Sequence, residues 1–485
     1  MVAPDAPWTF TLSPRSGRLA FSMRTRRRIS VVRATAGVAG MAVLALAARA
    51  NAQTDGGTPV CDSLPNPVYI SGSSASQPVL QALADTIGTS VSIIYQNPDS
   101  CLGVNDFLGG TASTESGIAT VYLNPTTGKA TTCTINATAD IVDIAVSDVF
   151  AATCHLYTTS IPALTSSQVE IEGPIQAMTI AVPAASQGSP SISAAAANVV
   201  FGGDAQTAGE TVPLWNQPAA IFTRPSTSGT LNMIGAAIGL APNLWANAAV
   251  TAGTAPANQK GSTGAMYSAV AAATTNINTT IGILSDEAIV QRNATALALG
   301  ADGGTAGPTA KPLFYQHTGQ TCGYLPDSTT TAFDKVNVRE GRYAIWGPLH
   351  FITSVDVNGQ PNGVHAPAVA TVLNYFIATG ATPDAPLFTA GADAGTINVT
   401  AKQALIDAEA KPLVGGVVPW CAMHVMRTSE VGAESSFSPA EPCGCHFEAV
   451  ATGAPVASYC KACTTNTDCT TAGYPTCRYG YCEVQ

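Results

Sequence analysis

The chain has 485 residues, enough for two or three domains with a large buried core. Only 11% of the residues are charged and 46% are apolar, which is typical of globular proteins and not of disordered ones. The formal net charge is −10, and it becomes about −17 without residues 1–52, which hold eight arginines and one acid. Such an acidic surface argues against nucleic acid and against an anionic membrane as partners, but it allows a small-anion site in a closed cleft.

Residues 1–52 are predicted to be a signal peptide. A basic run that starts at Met23 precedes an apolar run at 34–48 and a small-x-small cleavage site at 50–52. Met23 is a more natural start than Met1, and plain secretion is favoured over the twin-arginine route. The apolar run is too short for a membrane span and no later stretch is long enough. We therefore expect an exported protein, periplasmic or at the cell surface, with no membrane span in the mature chain.

Residues 53–172 are predicted to form the first part of a first lobe. A short strand at 67–70 leads into a Ser-rich loop at 71–78 and then a helix. A second strand at 91–96 leads into a polar loop at 97–104 and another helical start. This alternation predicts parallel strands whose carboxyl ends carry polar loops, the position where open α/β sheets bind ligands.

A third polar strand end follows an insertion. Residues 109–135 are rich in Gly and Thr and are predicted to form an inserted hairpin or loop, bracketed by a Cys101–Cys133 disulfide. An apolar strand at 140–148 then ends at Asp148. Its carboxylate could accept a ligand proton or orient an arginine, whereas a helix cap is the ordinary role of such an aspartate.

Residues 173–285 are predicted to form a second lobe, entered by a crossover strand at 172–183. A β-type run at 219–223 precedes the loop at 224–230, which begins with Arg224, and a helix at 231–240 follows. Free N–H groups at a helix start, together with a guanidinium, suit an oxyanion. The alternative is an ordinary N-cap cluster beside a surface arginine.

Residues 286–435 are predicted to return to the first lobe, through a strand at 342–352 and an amphipathic helix at 367–379. Two lobes joined by two or more crossings make a hinged cleft. The expected fold class is therefore α/β and two-lobed, with a small disulfide-rich tail at residues 436–485.

Seven of the thirteen cysteines lie between Cys443 and Cys482. In an exported protein this density indicates disulfides, and the tail has too little apolar content to fold without them. Cys421 is a candidate for one bridge, and the odd total leaves one thiol unpaired or intermolecular. A zinc site at residues 443–446 (Cys-Gly-Cys-His) is the alternative. The tail could also tether the protein at the cell surface.

Four segments, in chain order, resemble the phosphate-binding proteins of bacterial phosphate-specific ABC transporters, which have the type II periplasmic binding fold. They are Gly72–Pro78, Tyr95–Val104, Ala145–Asp148, and Arg224 with Ser228, Gly229 and Thr230 in an Arg-x-x-x-Ser-Gly-Thr pattern. The return strand Ile281-Gly282-Ile283 is also similar to the family's. The similarity extends thinly over residues 66–430.

The resemblance implies an exported substrate-binding protein that captures inorganic phosphate, or a similar tetrahedral oxyanion, for uptake by an ABC permease. It implies no catalytic residue, metal or cofactor. In the family's manner Ser100 would donate its hydroxyl and Asp148 would accept the phosphate's own proton. Asp99 would repel an anion if its side chain faced the cleft. The implied ligand set is Ser76, Gln77, Ser100, Asp148, Arg224, Ser228, Gly229 and Thr230.

The aspartate favours phosphate over sulfate. Sulfate is fully ionised and offers no proton, so a buried Asp148 facing it would be an unpaired like charge. Protonated phosphate supplies the missing donor, and the carboxylate then acts as a filter.

Two other classes of function remain open. A secreted hydrolase would need a nucleophile and a base, but the sequence has no Gly-x-Ser-x-Gly or His-Glu-x-x-His motif and its six histidines are scattered. We therefore expect no enzyme activity. A surface adhesion or structural protein on the same scaffold suits the Ala, Thr and Gly content and the disulfide-rich tail.

Overall fold

The computed structural model describes residues 58–109, 119–124, 129–135, 141–157, 161–203, 212–246, 257–301, 305–379, 387–389, 397–453 and 457–484. All of them belong to one unit, Gly57–Gln485. The predicted signal peptide lies outside the described residues.

The described residues form a mixed α/β fold. The strands are β1 (Pro67–Gly72), β2 (Ser92–Gln96), β3 (Ala119–Asn124), β4 (Lys129–Cys133), β5 (Ile144–Ser147), β6 (Gln168–Pro183), β7 (Ser191–Ser193), β8 (Gly282–Ser285), β9 (Ala310–Pro312), β10 (Phe314–Gln316), β11 (Trp346–Ser354), β12 (Val425–Met426), β13 (Ser435–Ser436), β14 (Thr476–Arg478) and β15 (Tyr481–Glu483). The α-helices are α1 (Gln77–Ile87), α2 (Ser100–Gly109), α3 (Ala151–Tyr157), α4 (Ala194–Phe201), α5 (Gly229–Ile238), α6 (Thr263–Ala271), α7 (Asp286–Ala301), α8 (Val336–Arg339), α9 (Ala366–Ala378), α10 (Val399–Ala410) and α11 (Gly444–Thr452). None of these helices is long and apolar enough to cross a membrane.

The main sheet has the strand order β4-β3-β2-β1-β5-β11-β6-β8, and β9 also pairs with β6. The central strand β1 runs parallel to β2 and β5, whereas β11 runs antiparallel to β5 and β6. Parallel neighbours end at the same edge, so the loops that follow β1, β2 and β5 meet there. The polar loops were predicted from the sequence to lie at this edge.

The sixteen-residue strand β6 is shared by two parts of the sheet. Residues 168–172 and 175–177 pair with β11, on either side of an irregularity in the register, and residues 178–183 pair with β8 and β9. We call the part built on β1–β5 and β11 the first lobe and the part built on β8 and β9 the second lobe. The predicted two-lobed α/β class is confirmed, and the predicted boundaries at 172 and 285 stay predictions.

One predicted element differs from the structure, and another agrees with it. The run at 219–223 is a 3₁₀ turn, Pro218–Ala220, followed by single bridges at Ile221 and Thr223 and not by a strand, because Pro218 fixes a turn conformation at its start. The inserted hairpin is confirmed where it is described, since β3 and β4 pair antiparallel and extend the sheet beyond β2.

The predicted Cys101–Cys133 disulfide is wrong. Cys133 ends the edge strand β4 and bonds to Cys61, because the backbone of Cys61 pairs with Thr134 at 3.0 Å. Cys101 lies on α2 and bonds to Cys154 on the adjacent α3. Spacing along the chain could not reveal that residues 58–61 return to the inserted hairpin.

The tail contains the predicted disulfides. Its bridges, with the one that ties it to Cys421, are Cys421–Cys443, Cys445–Cys460, Cys463–Cys477 and Cys469–Cys482. The alternative of a zinc site at 443–446 is wrong, because both of its thiols are in disulfides. Cys322 is the unpaired thiol and is exposed. The tail also packs on the rest of the fold, since Glu448 on α11 pairs with the buried Arg339 at 2.9 Å. A tethering role stays a prediction.

Candidate functional site

Three polar loops meet where the strands of the first lobe end. Ser73 directly follows β1, Ser100 opens α2 after β2, and Asp148 directly follows β5. Gly72 allows this approach, since a Cβ atom there would lie 1.8 Å from the carbonyl oxygen of Val146, and its φ of +148° favours glycine. The register Gly72↔Val146 therefore brings the residues after β1 and β5 side by side.

Asp148 lies at the centre of the cluster and is 2% exposed. The Ser73 hydroxyl donates to its Oδ1, and the Thr230 hydroxyl lies 3.5 Å from its Oδ2. Its own backbone N–H donates to Ser100 Oγ at 3.3 Å. Burial raises the pKa of Asp148, against the opposing effects of Ser73, the Arg224 charge, Ser100 and Thr230. The carboxyl group therefore changes protonation at a higher pH than an exposed aspartate.

Arg224 is the cation of the cluster and is 3% exposed. Its Nη2 lies 2.6 Å from Asp99 Oδ1 and 3.5 Å from both Ser74 Oγ and the Gly261 carbonyl oxygen. Its Nη1 donates to Thr263 Oγ1 at 3.3 Å. The buried Nε has no acceptor among the described residues. The guanidinium therefore has one buried N–H group without a hydrogen-bond partner among the described residues, and an unsatisfied buried donor is energetically costly.

Asp99 brings a second carboxylate to the same arginine. Its other oxygen, Oδ2, accepts a hydrogen bond from Thr227 Oγ1 at 3.2 Å, so both oxygens bind groups of the 224–230 loop. Its φ of +154° is a conformation that favours glycine and costs other residues about 1–3 kcal/mol. Burial raises the pKa of Asp99 to about 6, although Arg224 and Thr227 lower it. Asp99 is therefore held in a strained position in which its side chain occupies the guanidinium.

Gly229 allows the two lobes to touch. It is the first residue of α5, and a Cβ atom there would lie 2.4 Å from Ser100 Oγ and 2.7 Å from Asp148 Cβ. The backbone N–H of Cys101 also donates to the Thr227 carbonyl at 3.0 Å. The 224–230 loop lies between β6 and β8 in the chain and belongs to the second lobe. Its contacts with Ser100, Cys101 and Asp148 therefore close the cleft between the two lobes at this point.

A groove lies beside this contact. Ser74 Oγ lies 3.0 Å from Thr263 Oγ1 and accepts a hydrogen bond from the Thr263 N–H at 3.2 Å. Both residues line a groove of about 500 Å³, together with Gln77, Glu287 and Arg292. Ser74 and Thr263 also contact Arg224, so these two residues lie between the groove and the buried arginine.

The structure brings most of the predicted ligand set together. Ser100, Asp148, Arg224, Gly229 and Thr230 lie in one buried cluster, and the buried Ser228 is the N-cap residue of α5 beside it. Their role as ligands stays a prediction, because packing alone does not test it.

The side chains of two predicted residues point elsewhere, but the resemblance implies that their loop binds phosphate through its backbone N–H groups, and that role stays a prediction. The Ser76 hydroxyl donates to the Ser73 carbonyl at 2.7 Å, within its own loop, and lies 3.4 Å from Tyr95 Oη. Gln77 is half-buried and lines the groove. Neither side chain has a contact with Asp148 in the part of the chain that the structure describes.

Ser73 and Thr263 were not among the predicted site residues, and Asp99 was expected to repel an anion only if its side chain faced the cleft. A usable signal existed for Ser73, because it is the first residue after a strand that pairs in parallel with the strand before Asp148. Thr263 had no signal, since it meets Arg224 from a separate helix.

Comparisons with known proteins give only distant likenesses. No family model matches the chain, and no curated protein does. Among solved structures, an ABC-type phosphate transport receptor from Vibrio cholerae is 13% identical, covering 63% of this chain and 93% of its own, with a TM-score of 0.35. A phosphate-binding protein from Stenotrophomonas maltophilia is 18% identical, covering 64% and 83%, with a TM-score of 0.35. A DING protein is 14% identical, covering 73% and 90%, with a TM-score of 0.40. Identities and TM-scores this low carry no property over to this chain.

Proposed function

We propose that this protein is an exported receptor that binds inorganic phosphate, or a similar tetrahedral oxyanion, between its two lobes and hands it to an ABC-type permease. It works as a binder and not as an enzyme. No cofactor or metal is required.

One observation carries this proposal. Residues far apart in the chain place a guanidinium, several hydroxyls and a buried carboxyl group in a single cluster at the carboxyl edge of parallel strands. The N-termini of α2 and α5 point their partial positive charge at the same place. Arg224 Nε is buried with no acceptor among the described residues, which favours an oxyanion as its missing partner.

The carboxyl group favours phosphate within the class of tetrahedral anions. The Asp148 carboxylate accepts hydrogen bonds from the hydroxyls of Ser73 and Thr230, and these donors favour its ionised, accepting form. A protonated phosphate oxygen can donate to such an acceptor, whereas sulfate cannot.

Export is supported by the cysteines. Twelve of the thirteen form six disulfides, and disulfides persist in oxidising compartments outside the cytosol. The permease is the partner that such a receptor requires.

A thermal-shift experiment tests the proposal. The melting temperature is measured with phosphate, arsenate, sulfate and molybdate, at about pH 6 and about pH 8. We expect phosphate to raise it, because a ligand at about 100 times its Kd stabilises the folded state by ~2.7 kcal/mol. Arg224→Lys keeps the charge but removes the planar fork, so the rise should shrink. Arg342→Lys, at an exposed position, is the matched control. No rise with any of the four anions overturns the proposal.

One observation favours a second candidate, an adhesion or structural protein on this scaffold. Asp99 already occupies the guanidinium, and the 97–104 and 224–230 loops bind each other directly through Cys101 and Thr227. This candidate predicts that the melting temperature does not depend on any of the four anions.

A further inference from the structure

The carboxylate of Asp99 binds the 224–230 loop as an external oxyanion would. Its Oδ1 lies 2.6 Å from Arg224 Nη2, and its Oδ2 accepts from the Thr227 hydroxyl at 3.2 Å. A charged donor and a hydroxyl donor from one loop are the groups that hold a tetrahedral anion. Asp99 is 3% exposed, so this is a buried contact and not a passing surface ion pair.

The charges of the cluster disfavour binding of an external anion to Arg224 while Asp99 is paired with it. Arg224 is the cation that acts on both Asp99 and Asp148. With both carboxyl groups ionised, one positive charge already faces two negative ones. An entering anion adds at least one more negative charge to a site closed to water, where like charges repel strongly.

The backbone conformation independently indicates that the carboxylate of Asp99 has a role at this position. Asp99 adopts φ +154°, which glycine reaches without strain. A glycine would therefore suit this turn better, and the carboxylate is the feature that an aspartate adds there.

Resting on the proposed function, we propose that Asp99 is an internal competitor: its carboxylate occupies the Arg224 guanidinium and must leave it before an inorganic oxyanion can bind. Asp99 thereby sets the affinity of the site and makes anion capture stronger in acid than in alkali.

The direction of the pH dependence follows from the groups that face Asp99. They are Arg224 and Thr227 on the 224–230 loop and Asp148 at the end of β5. Burial raises the pKa of Asp99 to about 6. Below that pH the carboxyl group is neutral and releases Arg224, and above it the carboxylate competes with the ligand.

Isothermal titration calorimetry of the full mature protein with inorganic phosphate tests the competition. The wild type is compared with Asp99→Asn, which removes the charge, and with Asp99→Gly, which also suits the backbone conformation. Asp356→Asn is the control, because Asp356 is an exposed aspartate in the loop after β11, at the opposite edge of the sheet. Each protein is titrated at about pH 5 and about pH 8, and the ratio of the wild-type Kd to the variant Kd cancels the titration of phosphate itself.

We expect both Asp99 variants to bind phosphate roughly tenfold or more tightly than the wild type at about pH 8, with near-equal affinities at about pH 5. The control should match the wild type at both values. Equal affinities of the wild type and both variants at about pH 8 overturn the competition and leave the proposed function standing. Weaker binding by both variants also overturns it, since Asp99 would then position Arg224 for the ligand. Binding by none of the proteins overturns the proposed function itself.

Discussion

At the scale of single residues, Asp148 shows how burial and hydrogen bonds act on one carboxyl group in opposite directions. Burial raises its pKa, and the donors Ser73, Ser100 and Thr230 lower it. The group is thereby kept available in two forms. Below its pKa it is a neutral acid that can donate to any oxyanion, and above its pKa it is a carboxylate that accepts only from an anion carrying a proton.

The first prediction concerns discrimination between phosphate and sulfate. In the wild type the ratio of the sulfate Kd to the phosphate Kd should increase as pH rises through the pKa of Asp148, because the carboxylate then repels sulfate. Asp148→Asn should lower this ratio at about pH 8 by roughly tenfold or more, since an unsatisfied buried polar group costs about 1–3 kcal/mol and a charged one costs more. Calorimetric titration with both anions measures the ratio. An unchanged ratio in the variant would remove Asp148 from the selectivity of the site.

At the scale of elements, the helix that carries Ser100 is fixed by a covalent bond. The Cys101–Cys154 disulfide joins α2 to α3 directly beside the site, and its sequence separation is 53 residues. Both sulfurs are buried, so the bond lies inside the first lobe and not on its surface.

We predict that Cys101→Ala together with Cys154→Ala lowers the free energy of unfolding by up to about 4 kcal/mol, because a loop of this length gains conformational entropy in the unfolded chain when the cross-link is lost. Urea denaturation monitored by circular dichroism measures the change. Removal of the Cys463–Cys477 bridge, whose separation is 14 residues, should cost less. Equal losses for the two pairs would contradict the dependence on loop length.

The elements of the sheet could be predicted from the sequence, whereas the contacts between lobes could not. The strands β1, β2 and β5 have buried apolar runs with polar residues at their ends, and this pattern marks the edge on which Ser100 and Asp148 lie. Asp99 was expected to repel an anion if its side chain faced the cleft. Its pairing with Arg224, 125 positions later, depends on how the loops close, and no local pattern encodes that. The Cys101–Cys154 pairing was missed because spacing along the chain does not show that α2 and α3 pack side by side within the first lobe.

At the scale of the whole molecule, two buried carboxyl groups make the stability depend on pH. Burial raises the pKa of both Glu287 and Glu409 from 4.5 to about 8. Neither oxygen of Glu409 has a hydrogen-bond partner among the described residues. The folded protein therefore keeps these protons at a pH where the unfolded chain has lost them.

A carboxyl group whose pKa is higher in the folded state than in the unfolded chain stabilises the fold most when it is protonated. The stability from each proton is complete below about pH 4.5 and is lost as pH rises through about 8, at about 1.4 kcal/mol per pH unit for each group. We predict that Glu409→Gln removes one of these contributions, so the variant loses less stability than the wild type between about pH 5 and about pH 9. Chemical denaturation across this range measures it, with Glu340→Gln at an exposed position as the control. Parallel curves for Glu409→Gln and the wild type would contradict the prediction.

The chain has one free, solvent-exposed thiol that a labelling reagent can reach. Twelve are sealed in disulfides, and the remaining sulfhydryl, Cys322, faces solvent. A maleimide dye would attach there once per molecule, without prior reduction. The natural chain therefore provides its own single attachment point for a fluorescent reporter, and no engineered cysteine is needed.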